Sequence, residues 1–508
     1  MGGGIIKKIN VYQEKAMKKF GMIAALVAAL CFALVFVGCS GGDGAPFILS
    51  GGDMPGGKKA AVISFATSEV DKLTSDGAFT NELSNSGDGA VRYESSNTGA
   101  ATVDAATGQV TIVAEGTATI TATVADSATY YYEQKTASYT LSVYSADLVI
   151  PLTIEIKDPS SSGQVTVQKP WSTFKYKFSN SDEMHSYTGP INIAAGVSVS
   201  FYADGSENPE AYSLSSDNYF MIESNVDCYV YGNIMSLLDS KKFKSLKKID
   251  KRCSFSYLFK TGGTHVFNHP TKDLCLPAKN ATSYCYSDMF NGCSNLQRAP
   301  KLPATILSDY CYTYMFSGCS ELTAAPALPA TTLARGCYEG MFNECSKLVT
   351  APELPAMEMA YDCYKTMFLK CKNLKTAPAL PATKLDEYCY FQMFVSCIGL
   401  TKAPELPATE LANNCYNGMF SGCTSLTKTP GLNAPILVEN CYYSMFSNCT
   451  NLNTVYCFAT DISAENCTNM WLSGVAATGM FLRHKKMDSW PKDSASGIPT
   501  GWTEYNDY

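Results

Sequence analysis

The chain has 508 residues, 46% hydrophobic and 17% charged, which is long enough for several cores and unlike the composition of a disordered polymer. Its 39 Lys plus Arg against 46 Asp plus Glu give a mildly acidic balance, with no basic footprint for a nucleic-acid partner. With four histidines and no Asp or Glu pair recurring at a distinctive spacing, acid–base or metal-dependent catalysis has few residues to use. No enzyme and no cofactor is expected.

Lys18 and Lys19 precede an apolar run from Phe20 to Val37, which ends at Phe36-Val37-Gly38-Cys39-Ser40. The run is short for a membrane span and stops at Gly-Cys rather than at basic residues. Residues 1–38 resemble a lipoprotein signal with its lipobox, with Phe36 where Leu is usual. The resemblance implies lipidation of Cys39 and attachment to a bacterial membrane, the outer one, with the chain on the cell surface. Removing 1–38 takes away five lysines and one glutamate and leaves 34 cationic against 45 acidic residues, or −11. Residues 39–57, with seven glycines, read as a flexible tether.

From 58 to 145 small polar and β-branched residues alternate without a helical period. Thr107-Gly108 supplies a tight turn between Val103 and Val110, and Ala118, Ile120 and Ala122 alternate inward on one strand. The strings Val91-Arg92-Tyr93-Glu94-Ser95-Ser96-Asn97, Ala101-Thr102-Val103-Asp104 and Gly116-Thr117-Ala118-Thr119-Ile120 resemble the bacterial Ig-like group 2 family. That resemblance implies a β-sandwich serving as spacer or adhesion module. Residues 148–235 alternate in the same way, at Leu152-Thr153-Ile154-Glu155-Ile156 and Val197-Ser198-Val199-Ser200-Phe201, and predict a second β-sandwich.

From Cys285 the sequence repeats every 26 residues, with Cys285, Cys311, Cys337, Cys363, Cys389, Cys415, Cys441 and Cys467 heading eight units. A second cysteine column follows at Cys293, Cys319, Cys345, Cys371, Cys397, Cys423 and Cys449. Such a period marks a solenoid whose coils bury their apolar stripe only by stacking. Numbering each unit from its first cysteine, Cys, Tyr, Met, Phe and Cys stand at 1, 2, 5, 6 and 9, a spacing that predicts one face of a short helix. Leu at 12 and Ala at 15 predict a short strand that Pro at 16 ends, having no N–H to donate. Phe-x-x-Cys-x-x-Leu followed by an apolar-Pro stretch resembles the bacterial surface antigen type of leucine-rich repeat. The expected fold is therefore multidomain: Ig-like β-sandwiches followed by an α/β leucine-rich-repeat solenoid over 285–480. Residues 236–284 and 481–508 read as its caps, the latter with Trp490, Ile498, Pro499 and Trp502 over the last coil.

Cysteines at 1 and 9 of a continuous helix lie ~12 Å apart, beyond the ~7 Å Cα reach of a disulfide. Helices of neighbouring coils pack roughly 8–10 Å apart. Buried thiol ladders are thus favoured over the disulfide framework that an exported chain otherwise invites. Cys253, His265, His269 and Cys275 have zinc-like ligand types, but no close cysteine pair anchors them, and no metal site is expected. Gly38-Cys39-Ser40-Gly41-Gly42 mimics a nucleophile elbow and Gly52 to Lys58 a phosphate loop; both lack the strand–turn–helix context that their chemistry needs.

The leading functional expectation is adhesion: the solenoid contacts host or microbial surface proteins or glycans. Arg298, Lys375, Lys402 and Lys428 follow the repeat leucine and would stack into a locally basic stripe on an acidic protein. Two alternatives stand beside it. One is a structural cell-envelope spacer. The other is a carbohydrate-binding accessory lipoprotein of a glycan-uptake system, which would need a platform such as the row Tyr286, Tyr312, Tyr338, Tyr364, Tyr390, Tyr416 and Tyr442, residues expected to lie mostly in the core.

Overall fold

The structure, a computed structural model, describes residues 58–132, 134–170, 172–203, 219–260, 263–493 and 495–506. In the first unit, strands Glu69–Leu73, Thr136–Tyr144, Gly116–Val124 and Val91–Ser95 form a sheet in that order. Ala118, Ile120 and Ala122 point inward and are at most 1% exposed, as their alternation predicts. Ala118 and Ile120 pack with residues of the paired strands Ala101–Val103 and Val110–Ile112, so two β layers share a core, while Ala122 packs with Ala61, Ile63 and Tyr132. The turn between that pair is built by Asp104, whose Oδ1 accepts the N–H groups of Thr107 and Ala106 at 2.8 and 3.0 Å. Gly108 closes it at φ +72°, where a Cβ would stand 2.8 Å from the Tyr93 ring. The bonds from Thr107 hold the Asp104 carboxyl below its ordinary pKa.

The second unit centres on Thr153–Ile156, flanked antiparallel by Ser198–Tyr202 and Cys228–Asn233. A three-stranded sheet of Ile191–Ile193, Gly163–Gln168 and Met221–Ser224 lies in the same unit. Cys228–Asn233 pairs in parallel with Val266–Asn268 and with Leu274–Cys275, after the crossover that a parallel pair requires. This pairing joins the second unit to the repeats, and one hydrophobic core runs from Leu152 to Trp502.

The helix expected at positions 1–9 of each unit is not formed. No α-helix occurs among the described residues, and the α/β expectation is corrected to a β-rich structure made of turns, bridges and short strands. In the coil headed by Cys363, alternate N–H groups close four-residue turns: Lys365 to Asp362 O at 3.2 Å, Met367 to Tyr364 O at 3.2 Å and Leu369 to Thr366 O at 3.1 Å. The others reach the next coil, from Tyr364 to Cys389 O at 3.0 Å, Thr366 to Phe391 O at 2.8 Å and Phe368 to Met393 O at 2.9 Å. Every fourth residue takes a positive φ, here Asp362 (+56°), Thr366 (+52°) and Lys370 (+60°), the mark of a type II turn at its third position. A staircase of turns returns to the same face every four residues, so it buries positions 1, 2, 5, 6 and 9 as a helix would. Unlike a helix, it leaves half of its N–H groups free to tie coil to coil.

Each buried position becomes a column. The tyrosine rings from Tyr286 to Tyr442 stack at 5.4–6.2 Å between centroids, and the phenylalanines from Phe290 to Phe446 at 5.4–5.8 Å. On the strand side the coils touch through single bridges, Ala324 to Thr350 to Thr376 to Lys402. These widen into a parallel sheet of Lys428–Leu432, Thr454–Cys457, Gly479–Arg483 and Trp502–Asn506. Pro430 lies where the register shifts, as a residue without N–H requires. At the far end Trp471 continues the tyrosine column and carries Trp490 stacked at 5.2 Å, with Ile498 and Trp502 buried beside them.

β-type stacking at about 4.8 Å also overturns the 8–10 Å spacing expected between coils and brings same-column cysteines within Cα reach of a bridge. The 19 described cysteines are nonetheless all unpaired. In the second column each thiol donates to the phenylalanine carbonyl of the preceding coil, as from Cys371 to Phe342 O at 3.1 Å and from Cys397 to Phe368 O at 3.0 Å. Cysteine suits this position as a small apolar group with one weak donor. Burial pushes the Cys337, Cys397 and Cys415 thiols up to about 12, so the reactive thiolate is scarce near neutral pH. Alkylation of the native protein is therefore expected to leave the 8 + 7 column cysteines unmodified, and alkylation after unfolding without reductant to modify them all. Mass spectrometry reads the difference. Any column pair that resists labelling until reductant is added would contradict the thiol ladders.

Candidate functional site

The repeats present a polar strand face. Position 14 carries Arg298, Ala324, Thr350, Thr376, Lys402, Lys428 and Thr454 on successive coils, and Lys375 stands at position 13 beside Thr376. Lys375, Lys402 and Lys428 are exposed, and none forms an ion pair with a described residue. Four lysines elsewhere on the coils are neutralised by a glutamate one coil away, Lys347 by Glu321 at 2.6 Å, Lys370 by Glu344 at 2.6 Å, Lys365 by Glu339 at 3.0 Å and Lys384 by Glu358 at 3.6 Å, while Lys372 is exposed and has no ion pair with a described residue. Lys402 and Lys428 instead stand at the same position of successive coils, where like charges repel. The structure thus gathers the three lysines and separates Arg298 from them, four coils from Lys402 or roughly 20 Å.

Arg298 belongs to the junction between the second unit and the first coil. Its Nη2 donates to His269 O at 2.8 Å, and Asp273 lies 3.8 Å away. Asn268 holds the coil there, its Oδ1 accepting the N–H groups of Gln297 and Arg298 at 2.8 Å each. On the neighbouring strand Cys228 and Val230 turn inward and Tyr229 outward, and the parallel register sets Tyr229 beside Phe267. Lys157 Nζ sits 3.6 Å above the Phe267 ring. His269 Nδ1 accepts the N–H groups of Thr271 and Lys272 at 3.1 Å each, which leaves the neutral ring's proton on Nε2. Burial, with Lys272 nearby, holds its pKa below the usual 6.5. Tyr229, Phe267 and Lys157 escape sequence reading because strands 38 residues apart must first be paired.

The remaining residues singled out by sequence are placed as follows. Tyr286 to Tyr442 of the tyrosine row are at most 2% exposed, so they offer no platform at the surface. His265 pairs with Asp227 at 3.0 Å, Cys253 is buried, and no group of three potential metal ligands occurs among the described residues. Cys39 and the whole of 1–57 lie outside the described residues. No helix among the described residues is long and apolar enough to cross a membrane.

Residues 68–131 match the bacterial Ig-like domain (group 2) family, so the first unit is such a domain. Domains of this kind are typical of surface-exposed bacterial proteins. No curated protein sequence matches the chain.

Proposed function

We propose that the chain is a bacterial cell-surface lipoprotein, anchored to the outer membrane through Cys39. In this reading its repeats form a leucine-rich-repeat solenoid of the bacterial surface antigen type that binds other molecules and performs no catalysis. The single observation behind it is the set of exposed lysines Lys375, Lys402 and Lys428, which follow the repeat leucine on successive coils without an ion pair to a described residue, whereas Lys347, Lys365, Lys370 and Lys384 are each paired with a glutamate. Like charges on neighbouring coils repel, by roughly a few tenths of a kcal/mol, and an anionic partner would remove that repulsion. The partner class is an acidic protein patch or an anionic glycan on host or microbial surfaces. Replacing Lys375, Lys402 and Lys428 together by Glu is expected to weaken salt-sensitive attachment at least tenfold, while each exposed change moves stability by roughly 0.5 kcal/mol or less. Unchanged, salt-insensitive attachment by the triple variant would move the binding site off these lysines, and absence of any attachment by the unaltered protein would favour the structural spacer.

The anchor has its own test. Cys39→Ala is expected to leave the precursor uncleaved or to release the protein from the membrane fraction, because the lipobox thiol is the acylation site in this reading. Normal fractionation of that variant would remove the lipoprotein assignment.

A further inference from the structure

The junction between the second unit and the first coil holds a shallow cavity of about 350 Å³. Its wall includes Lys157, Tyr229, Phe267, His269, Gln297 and Arg298, and no Asp or Glu among the described residues lines it. The protein as a whole is acidic, so a carboxylate-free cavity with two permanent cations stands out electrostatically.

Both cations are held in place while keeping donors free. Lys157 Nζ is steadied over the Phe267 face at 3.6 Å, and its nearest carboxylate, Asp227, is 3.9 Å away, beyond hydrogen-bond length. Arg298 commits Nη2 to His269 O at 2.8 Å, with Asp273 at 3.8 Å, again beyond hydrogen-bond length. The rest of its fork remains available, and a guanidinium fork matches a carboxylate in two parallel bonds. Between these charges stands Tyr229, half-buried, outward-facing and edge-packed against His269 at 5.3 Å. A fixed aromatic ring presents a negative face to the weakly positive C–H groups of a saturated ring. Gln297, exposed beside it, offers an amide that both donates and accepts, as sugar hydroxyls require.

We infer that this cavity binds a carboxylate-bearing sugar ring, with the carboxylate on Arg298 and Lys157, the ring against Tyr229 and hydroxyls on Gln297. A small anion without a ring would leave Tyr229 unused, and a neutral sugar would leave the free donors of Lys157 and Arg298 without a charged acceptor at hydrogen-bond distance. The site is independent of the lysine column on the later coils, so it stands or falls apart from the adhesion reading.

The test uses the full chain with glucuronic acid and N-acetylneuraminic acid as acidic probes and glucose as the neutral one, by saturation-transfer NMR and titration calorimetry. Binding of at least one acid is expected, with glucose at least tenfold weaker. Arg298→Gln and Tyr229→Ser should each weaken the acid about tenfold or more, with an unchanged thermal melt. Should Tyr229→Ser fail to fold, Lys157→Gln together with Arg298→Gln decides the matter. The triple lysine variant of the later coils should bind the acid normally. Absence of binding by both acids, equal binding of glucose, or unchanged binding by folded Arg298→Gln would each overturn the assignment.

Discussion

Excision of one whole coil, residues 363–388, is expected to leave a protein that folds and melts cooperatively, whereas excision of 363–375 is expected to abolish the native array. The first deletion joins Asp362 to Cys389, so position 0 of one coil runs into position 1 of another and every column closes up in register. Tyr338 would stack on Tyr390 and Phe342 on Phe394, and the N–H groups of the Cys337 coil would find equivalent carbonyls one coil further on. The loss is confined to one nearest-neighbour interface and to the ion pairs of Lys365, Lys370 and Lys384. The second deletion joins Asp362 to Thr376 and shifts the chain by half a coil. Exposed position 14 would then lie against the cysteine, tyrosine and phenylalanine columns. Burying several unpartnered polar groups at about 1–3 kcal/mol each consumes most of a typical stability of 5–15 kcal/mol. Circular dichroism melts and gel filtration separate the two outcomes. Equal behaviour of both deletions would mean that the columns do not set the register.

The same columns mark what the sequence makes legible. The 26-residue period, the identity of the buried positions and the free thiols can all be read, because each repeats on successive coils. The local conformation is hidden by a coincidence of spacing: positions 1, 2, 5, 6 and 9 fit a helix of 3.6 residues per turn and a staircase of four-residue turns about equally. A discriminating signal was present. Positions 0, 4 and 8 carry Gly336, Gly340, Gly418, Gly422, Gly292, Gly318 and Gly474, with Asn414, Asn440, Asn448 and Asn466, residue types that tolerate positive φ and disfavour helix interiors. Three such columns spaced by four argue for turns. Arg298 is misplaced for a different reason: it shares position 14 with Lys402 and Lys428, yet the loop 269–273 reaches only the first coil, and sequence period carries no information about what covers an end. The junction cavity was invisible for the same reason, since it depends on pairing Tyr229 with Phe267.

Truncation of one aromatic column member should have the largest single-residue effect. Phe368 is fully buried at mid-array, with its ring 5.7 Å from Phe342 and 5.6 Å from Phe394. Its carbonyl accepts the Cys371 N–H at 3.1 Å and the Cys397 thiol at 3.0 Å, bonds that survive loss of the side chain. Phe368→Ala therefore removes packing and leaves the hydrogen bonding intact. Phe to Ala at such a site costs about 3–5 kcal/mol, the spread reflecting how far neighbours collapse into the cavity. Collapse is restrained here, because Phe342 and Phe394 are each fixed by another ring on their far side at 5.8 and 5.5 Å. The upper half of the range is expected. Phe368→Leu refills most of the volume and should recover more than half of the loss. As a surface reference, Lys384→Ala breaks an exposed 3.6 Å pair with Glu358, its side chain 75% exposed, and should change stability by about 0.5 kcal/mol or less. Denaturant melts of the three variants at constant m-value give the order directly. A Phe368→Ala loss below about 1 kcal/mol would mean that the rings can slide to close the gap, and that the columns are less rigid than their spacing indicates.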